Sequence, residues 1–315
     1  MRFPDFFIVG APKCGTTALY TYLREHPGVF MPELKEPHFF CYDLRFPQRS
    51  AVRDPDVYLK LFAGASDNTL LGEASASYLY SEVAIPEILK VNQRAKFIVI
   101  LRNPVDMAYS FHSQLLSNLT EDISHFPTAW QAQEARRDGR NLPKHCIEPK
   151  FLQYKLVCSF SSQISRLMRV APRDQVFVCI FEEFICEPKR IFASMLRFLD
   201  LAAADRVSFP QVNANKQYRS MLLNRLLRRP PGPLDKLYSP LKRFANALGL
   251  RPRDLLERAN SRLVARPPLD SRVRAQLQAE FAPDIERLEQ LLDHNLERWR
   301  DGARAEVSSD RVAPE

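Results

Sequence analysis

No apolar run in the 315 residues approaches the ~20 needed to span a bilayer. After Met1-Arg2 the chain enters Phe3-Pro4-Asp5-Phe6-Phe7 without a long apolar stretch or a small-residue cleavage site. The sequence therefore predicts neither a membrane anchor nor a secretory leader, and a cytoplasmic location. The six cysteines, Cys14, Cys41, Cys146, Cys158, Cys179 and Cys186, form no CxxC pair and have no neighbouring histidine cluster. That excludes zinc spacing and a disulfide framework, and free thiols in a reducing compartment are expected. Internal repeats are absent. A 45% hydrophobic, 26% charged composition is that of an ordinary globular protein with a sizeable core.

Charge is unevenly distributed. The chain carries 45 Lys and Arg against 37 Asp and Glu, a net +8. Between Lys216 and Arg274 stand fifteen basic and four acidic residues, so this one segment holds the whole excess. A patch of that kind implies an anionic partner. Its proline breaks and lack of interleaved aromatics argue against nucleic acid; the preferred expectation is a flap closing over a nucleotide and an anionic acceptor, with Lys216 and Arg219 as its leading members.

Phe6-Phe7-Ile8-Val9-Gly10 reads as a buried parallel strand, Ala11 to Gly15 as a turn, and Leu19, Tyr22 and Leu23 as one face of a helix that stops at His26-Pro27. A second strand, Lys96 to Arg102, runs into a helix through about Leu119, opened by Asn103 at N-cap, Pro104 at N1 and Asp106 at N3. Further strands are expected at 70–73 and 175–181, with helices around 55–63, 84–93, 127–138, 149–170 and 188–199. Alternating units of this length predict a P-loop-like three-layer α/β/α fold with a central parallel sheet. One domain over 1–300 is expected, with the basic flap at about 210–268, an amphipathic helix over 270–299 and a disordered tail at 301–315.

Gly10-Ala11-Pro12-Lys13-Cys14-Gly15-Thr16-Thr17 has the paired glycines of a phosphate loop, after a strand and before a helix whose free N–H groups favour an anion. An ATPase needs lysine directly after the second glycine; Thr16 stands there, and the lysine, Lys13, sits inside the loop. The strand ending at Leu101 is followed by Arg102, where a magnesium-binding aspartate would be. Arginine there pairs with a second phosphate without a metal. The two motifs together describe a nucleotide with phosphates at two ends and no Mg²⁺.

This pair of motifs resembles the sulfotransferases that use 3′-phosphoadenosine-5′-phosphosulfate (PAPS). Pro12-Lys13-Cys14-Gly15-Thr16-Thr17 is similar to the family's 5′-phosphosulfate loop. The run Arg102-Asn103-Pro104-Val105-Asp106-Met107-Ala108-Tyr109-Ser110 is similar to its 3′-phosphate motif, which implies that Arg102 and Ser110 contact that phosphate. Gly72-Glu73-Ala74-Ser75-Ala76-Ser77-Tyr78 resembles a segment of the heparan-sulfate branch (N-deacetylase/N-sulfotransferases and 3-O-sulfotransferases), which implies Glu73 as the base. Lys35-Glu36-Pro37-His38-Phe39-Phe40, Val212 to Lys216, Pro267 to Asp270 and Phe281 to Asp284 extend the likeness. The branch's Golgi members carry a membrane anchor and late cysteines, so a cytoplasmic, bacterial-type member fits better. The family's late basic loop has no clean match beyond Arg262 or Arg266.

The resemblance implies transfer of a sulfuryl group from PAPS to a hydroxyl or amine of a carbohydrate or small molecule, releasing PAP. Lys13 would offset charge on the departing phosphate. Thr16 and Thr17 can cap the helix, bind phosphate or do both, because the two roles use the same geometry. His112, on the helix of Ser110, is the rival base, and Lys35 and His38 are candidates for the acceptor pocket. A P-loop kinase using ATP and Mg²⁺ is the alternative, against which Thr16 counts. A non-catalytic anion-binding protein is a third reading, against which the joint presence of Lys13, Arg102, Ser110 and Glu73 counts.

Overall fold

A computed structural model describes residues 2–47, 50–203, 216–218, 261–263 and 267–300. Five strands form one sheet in the order β2-β3-β1-β4-β5. They are β1 (Phe6–Gly10), β2 (Val29–Phe30), β3 (Leu70–Ala74), β4 (Lys96–Leu101) and β5 (Val176–Ile180). Every pairing is parallel. β1 and β4 read as unbroken apolar runs because both of their faces are covered: Phe6, Phe7, Ile8 and Val9, and Phe97 to Leu101, have no exposed surface. β2 is two residues long, too short for periodicity to show it in the sequence.

The helices are α1 (Thr16–Arg24), α2 (Pro55–Lys60), α3 (Ala84–Val91), α4 (Pro104–Ser117), α5 (Phe126–Gln131) and α6 (Gln133–Arg137). They continue with α7 (Tyr154–Cys158), α8 (Phe160–Val170), α9 (Phe181–Cys186), α10 (Pro188–Phe198) and α11 (Ser271–Leu292). The α4 start follows the expected chemistry, the Asn103 side chain accepting from the Val105 N–H ahead of Pro104. None of the described helices is long and apolar enough to cross a membrane.

Three expected helices are interrupted, the first being 127–138, which divides into α5 and α6. The 149–170 stretch divides into a 3₁₀ turn (Pro149–Leu152), α7 and α8. Side chains distant in sequence or direction make the breaks tolerable. Asp284 of α11 accepts from the Phe160 N–H at 2.8 Å and the Ser161 hydroxyl at 2.5 Å, capping α8 from outside. The Gln163 amide donates to the carbonyls of Leu156, Val157 and Ser159, each at 3.1 Å, closing the end of α7. The 270–299 helix likewise stops at Leu292, where Asp293 turns left-handed at φ 51°. A 3₁₀ turn (Glu297–Trp299) then tucks Trp299 into the core.

The two ends of the basic segment pair as antiparallel β6 (Lys216–Tyr218) and β7 (Ser261–Leu263), with Gln217 opposite Arg262. Residues 210–215, 219–260 and 264–266 of the expected flap, Arg219 and Arg266 among them, and the tail at 301–315 lie outside the described residues.

Consecutive strands place the site. From β1 the chain builds β2 and β3 on one side, then crosses to add β4 and β5 on the other. The crevice at such a reversal, beyond the carboxyl ends of the strands, is where open α/β sheets bind ligands. Here it lies between the loops that leave β1 and β4.

Candidate active site

The loop from Ala11 to Gly15 turns β1 into α1. Gly15 is the N-cap at φ 93°, a left-handed conformation that favours glycine, and an added Cβ would stand 3.0 Å from the Phe181 ring. No side chain caps α1, so its first-turn N–H groups are left to a ligand. Gly15 holds the cap position and has no side chain to offer, so neither Thr16 nor Thr17 caps this helix with its hydroxyl.

Arg102 leaves the end of β4 and crosses to that loop. Its Nη1 donates to the Lys13 carbonyl at 3.3 Å, and its guanidinium lies 4.8 Å from the Phe181 ring centroid. Its Nε, fully buried, has no hydrogen-bond partner among the described residues. A desolvated donor left unpaired is costly unless an acceptor arrives, and this one adjoins an uncapped helix end. Behind it, Glu182 accepts from the Asn103 N–H at 3.1 Å and from the Trp299 indole at 3.2 Å, which fixes the loop after β4 from the far end of the chain.

These groups border a cleft of about 1000 Å³. Of the residues singled out in the sequence, Pro12, Lys13, Gly15, Thr16, Thr17, Arg102, Ser110, Lys35 and His38 line it together. Ser110, two turns into α4, is 4% exposed. Cys14 faces inward instead: it is wholly buried, its Sγ lies 3.4 Å from the Pro12 carbonyl, and burial pushes its thiol far above the ordinary range. Lys216 is on β6, and Arg219 is outside the described residues.

Neither expected base reaches the cleft. Glu73 is wholly buried on β3, where the hydroxyls of Tyr58 and Tyr78 donate to its Oε2 at 2.9 and 2.7 Å. Burial pushes its carboxyl up to about 7, against the hydroxyls of Ser75, Tyr78 and Tyr58, while Glu36 pushes the same way as burial. His112 is 1% exposed, packs against Phe126 and Tyr154, and holds its Nε2 2.9 Å from the Ile123 carbonyl. A base must come within hydrogen-bond reach of the proton it takes, and in this structure neither residue lines the cleft.

Two carboxylates line the cleft: Glu148, 8% exposed and committed to the backbone N–H groups of Arg45 and Lys150, and Glu36, whose side chain is 35% exposed. Its Oε1 pairs with Lys35 Nζ at 2.6 Å and its Oε2 lies 3.4 Å from His38 Nε2. Burial pushes this carboxyl up, but Lys35, His38 and Lys13 outweigh it and hold it below the usual glutamate range. Burial, with Lys35 and Arg53, depresses His38 to about 4 against the pull of Glu36, so the ring is neutral at pH 7. Lys13, Glu36 and His38 all have positive φ, at 65°, 65° and 51°. Such conformations are costly for non-glycine residues and gather at functional sites. The sequence singles out Lys35 and His38 for the pocket and not the acid between them, because the resemblance of the Gly72–Tyr78 segment implies Glu73 as the base. The available signal was an acid inside a family-like segment with a lysine before it and Pro-His after.

Residues 3–221 match the family described as "Sulfotransferase domain". The chain belongs to the sulfotransferase family. Bifunctional heparan sulfate N-deacetylase/N-sulfotransferase 3 of Homo sapiens is 29% identical over 205 residues, 63% of this chain and 22% of that protein. Carbohydrate sulfotransferase 15 of Rattus norvegicus is 27% identical over 340 residues, 94% of this chain and 54% of that protein. This sulfotransferase thus spans from about a fifth to about half of the length of these curated relatives. The crystal structure of a sulfotransferase from Alicyclobacillus acidocaldarius matches with a TM-score of 0.68 and 27% identity, covering 95% of this chain and all of that one. Family and fold agree with the expected three-layer parallel architecture, and the kinase alternative is not favoured.

Proposed function

We propose that this sulfotransferase moves a sulfuryl group from PAPS to a hydroxyl or amine of a carbohydrate or small-molecule acceptor, releasing PAP. The observation that carries this reading is the convergence of Arg102, with its unpaired buried Nε, on the uncapped start of α1. Those groups suit a nucleotide phosphorylated at two positions. Lys13, Gly15, Thr16 and Thr17 would hold its 5′ end, and Arg102 and Ser110 its 3′-phosphate. Bound there, the nucleotide supplies an activated sulfuryl group joined to a phosphate oxygen.

Residues of the chain supply the remainder. Glu36, kept ionised by Lys35 and Lys13, takes the proton of the acceptor as the acceptor atom bonds to sulfur. Lys13 and the N–H groups of α1 stabilise the charge left on phosphate when the old sulfur–oxygen bond breaks. His38, neutral and stacked on Phe46 at 3.8 Å, orients Glu36. The heparan-sulfate and carbohydrate sulfotransferase relatives support a saccharide acceptor. All six cysteines are free thiols, which supports a reducing, cytoplasmic setting.

Calorimetry with adenosine 3′,5′-bisphosphate and with ATP·Mg²⁺ tests the donor: preference for ATP·Mg²⁺ overturns the reading. Incubation of the enzyme with ³⁵S-labelled PAPS and a lysate of its host identifies the acceptor. A labelled saccharide or small molecule is expected, and absence of any protein-dependent label counts against transfer.

A further inference from the structure

We infer that Glu73 is a positioning residue, whose buried carboxyl works through Tyr58 and Tyr78 to fix the Glu36–Phe40 segment against the cleft. This rests on the reading of Glu36 as the base and adds the device that holds it there.

A carboxyl group in a dry core is expensive without a cation, and no cation contacts Glu73 among the described residues. Its two donors share one oxygen, and Oε1 has no hydrogen-bond partner, although the Ser75 hydroxyl is close enough to favour the charged form. For packing alone, an apolar side chain would serve this position at lower cost. What the carboxyl gains is the direction of two hydroxyls. Tyr78, donating to Glu73, presents its oxygen to the Phe40 N–H at 3.3 Å. Tyr58, donating to the same atom, lays its ring on Phe39 at 4.2 Å and 12°.

Neighbouring residues complete the clamp. Ala74 accepts from the Glu36 N–H at 2.9 Å, and the Ser75 hydroxyl accepts from the His38 N–H at 3.1 Å. From the other side Arg53 donates to the carbonyls of His38 and Phe39. Two left-handed, non-glycine residues in three positions persist only where their surroundings over-determine them. The β3 end and the turn after it supply that constraint, and Glu73 is the acceptor on which both tyrosines converge.

The test needs no acceptor substrate. The imidazole of His38 is followed by NMR titration in the full chain, its signal assigned among the six histidines with His38→Gln. Adenosine 3′,5′-bisphosphate affinity is measured alongside by calorimetry. In Glu73→Leu and in Tyr78→Phe the segment loosens, the ring is resolvated, and the midpoint climbs by about one pH unit or more toward its ordinary value. Bisphosphate affinity stays within about twofold, because the nucleotide loops are held separately. Glu73→Gln, which keeps a carbonyl acceptor for both hydroxyls, restores the wild-type midpoint. If Glu73→Leu does not fold, Tyr58→Phe/Tyr78→Phe carries the test. An unmoved midpoint in the tyrosine variants overturns the proposal, as does a Glu73→Gln midpoint displaced as far as that of Glu73→Leu. A parallel collapse of bisphosphate affinity also overturns it, since the effect is then global. Failure of the wild-type protein to bind the bisphosphate would strike the proposed function instead, and leaves the His38 comparison readable.

Discussion

Arg102 donates to the carbonyl of Lys13 across 3.3 Å, joining two residues 89 positions apart in the chain. The contact ties the loop leaving β4 to the loop leaving β1. The two motifs that share no sequence neighbourhood thereby become one wall of one cleft. Phe181, at the start of α9, backs both: its ring lies 4.8 Å from the Arg102 guanidinium and would crowd a Cβ at Gly15 to 3.0 Å.

Arg102→Lys follows directly from that arrangement. Lysine keeps the charge but loses the planar face on Phe181 and the forked donors. Affinity for adenosine 3′,5′-bisphosphate is expected to fall by at least ~10-fold, about 1.4 kcal/mol. Calorimetry measures it, and wild-type affinity in the variant would remove Arg102 from the nucleotide site.

Glu36→Gln separates binding from chemistry. Loss of a general base costs roughly 10²–10⁴-fold in kcat, while bisphosphate binding stays near wild type. The neighbouring cations hold the Glu36 carboxyl below its usual range, so the acid limb of kcat/KM lies below the ordinary glutamate value and vanishes in the variant. Steady-state PAP release with the acceptor found by labelling is the measurement. Turnover at the wild-type rate would return the assignment to another group.

The stability of the protein carries the signature of Glu73. Its carboxyl is raised from an ordinary 4.5 to about 7, so between those values the folded state binds more protons than the unfolded chain. Its contribution is therefore complete below pH 4.5 and lost as the pH rises to 7, on the order of 3 kcal/mol. Urea midpoints of wild type and Glu73→Gln, compared from pH 4.5 to 8, should diverge with wild type falling faster. Parallel curves would show that Glu73 is ionised throughout.

Arg136 is another buried charged residue, with no exposed surface on its side chain. It meets Glu121 through two hydrogen bonds, at 2.6 and 2.7 Å, with neither side chain exposed, and Tyr154 donates to the same carboxylate. Arg136→Met leaves Glu121 charged and unpaired, at a cost of about 3–5 kcal/mol. The effect should appear in the urea midpoint without change in bisphosphate affinity, because the pair braces α6 and α7 rather than the phosphate loops. A loss under about 1 kcal/mol would mean that water reaches Glu121.

Much of the candidate site was legible in the chain because the half proposed to take the nucleotide uses local rules. A strand ending in glycine, a loop and a helix start dictate where an anion sits, whatever the remainder of the fold does. Arg102 and Ser110 share one such local unit, and Pro12 to Thr17 form the other. The acceptor half obeys no local rule. Glu73 and Glu36 both belong to family-like segments, and only burial separates the carboxyl that is sealed under two tyrosines from the one that opens on the cleft. His112 looked like a neighbour of Ser110 on one helix, yet two residues further along α4 is a turn of roughly 200°, which carries the ring away from the cleft.

The sequence by itself determined the parallel α/β architecture, the phosphate loop and the paired arginine motif, since continuous apolar strands, glycine placement and helix starts are written within a few residues of one another. Tertiary structure alone decided that Glu36 opens on the cleft while Glu73 is sealed, and where helices break. Asp284 caps α8 from 124 positions away, and Tyr58 meets Glu73 only once α2 has packed against the sheet. Hydrogen bonds of that kind exist between surfaces, and a surface comes into being only when the chain has folded.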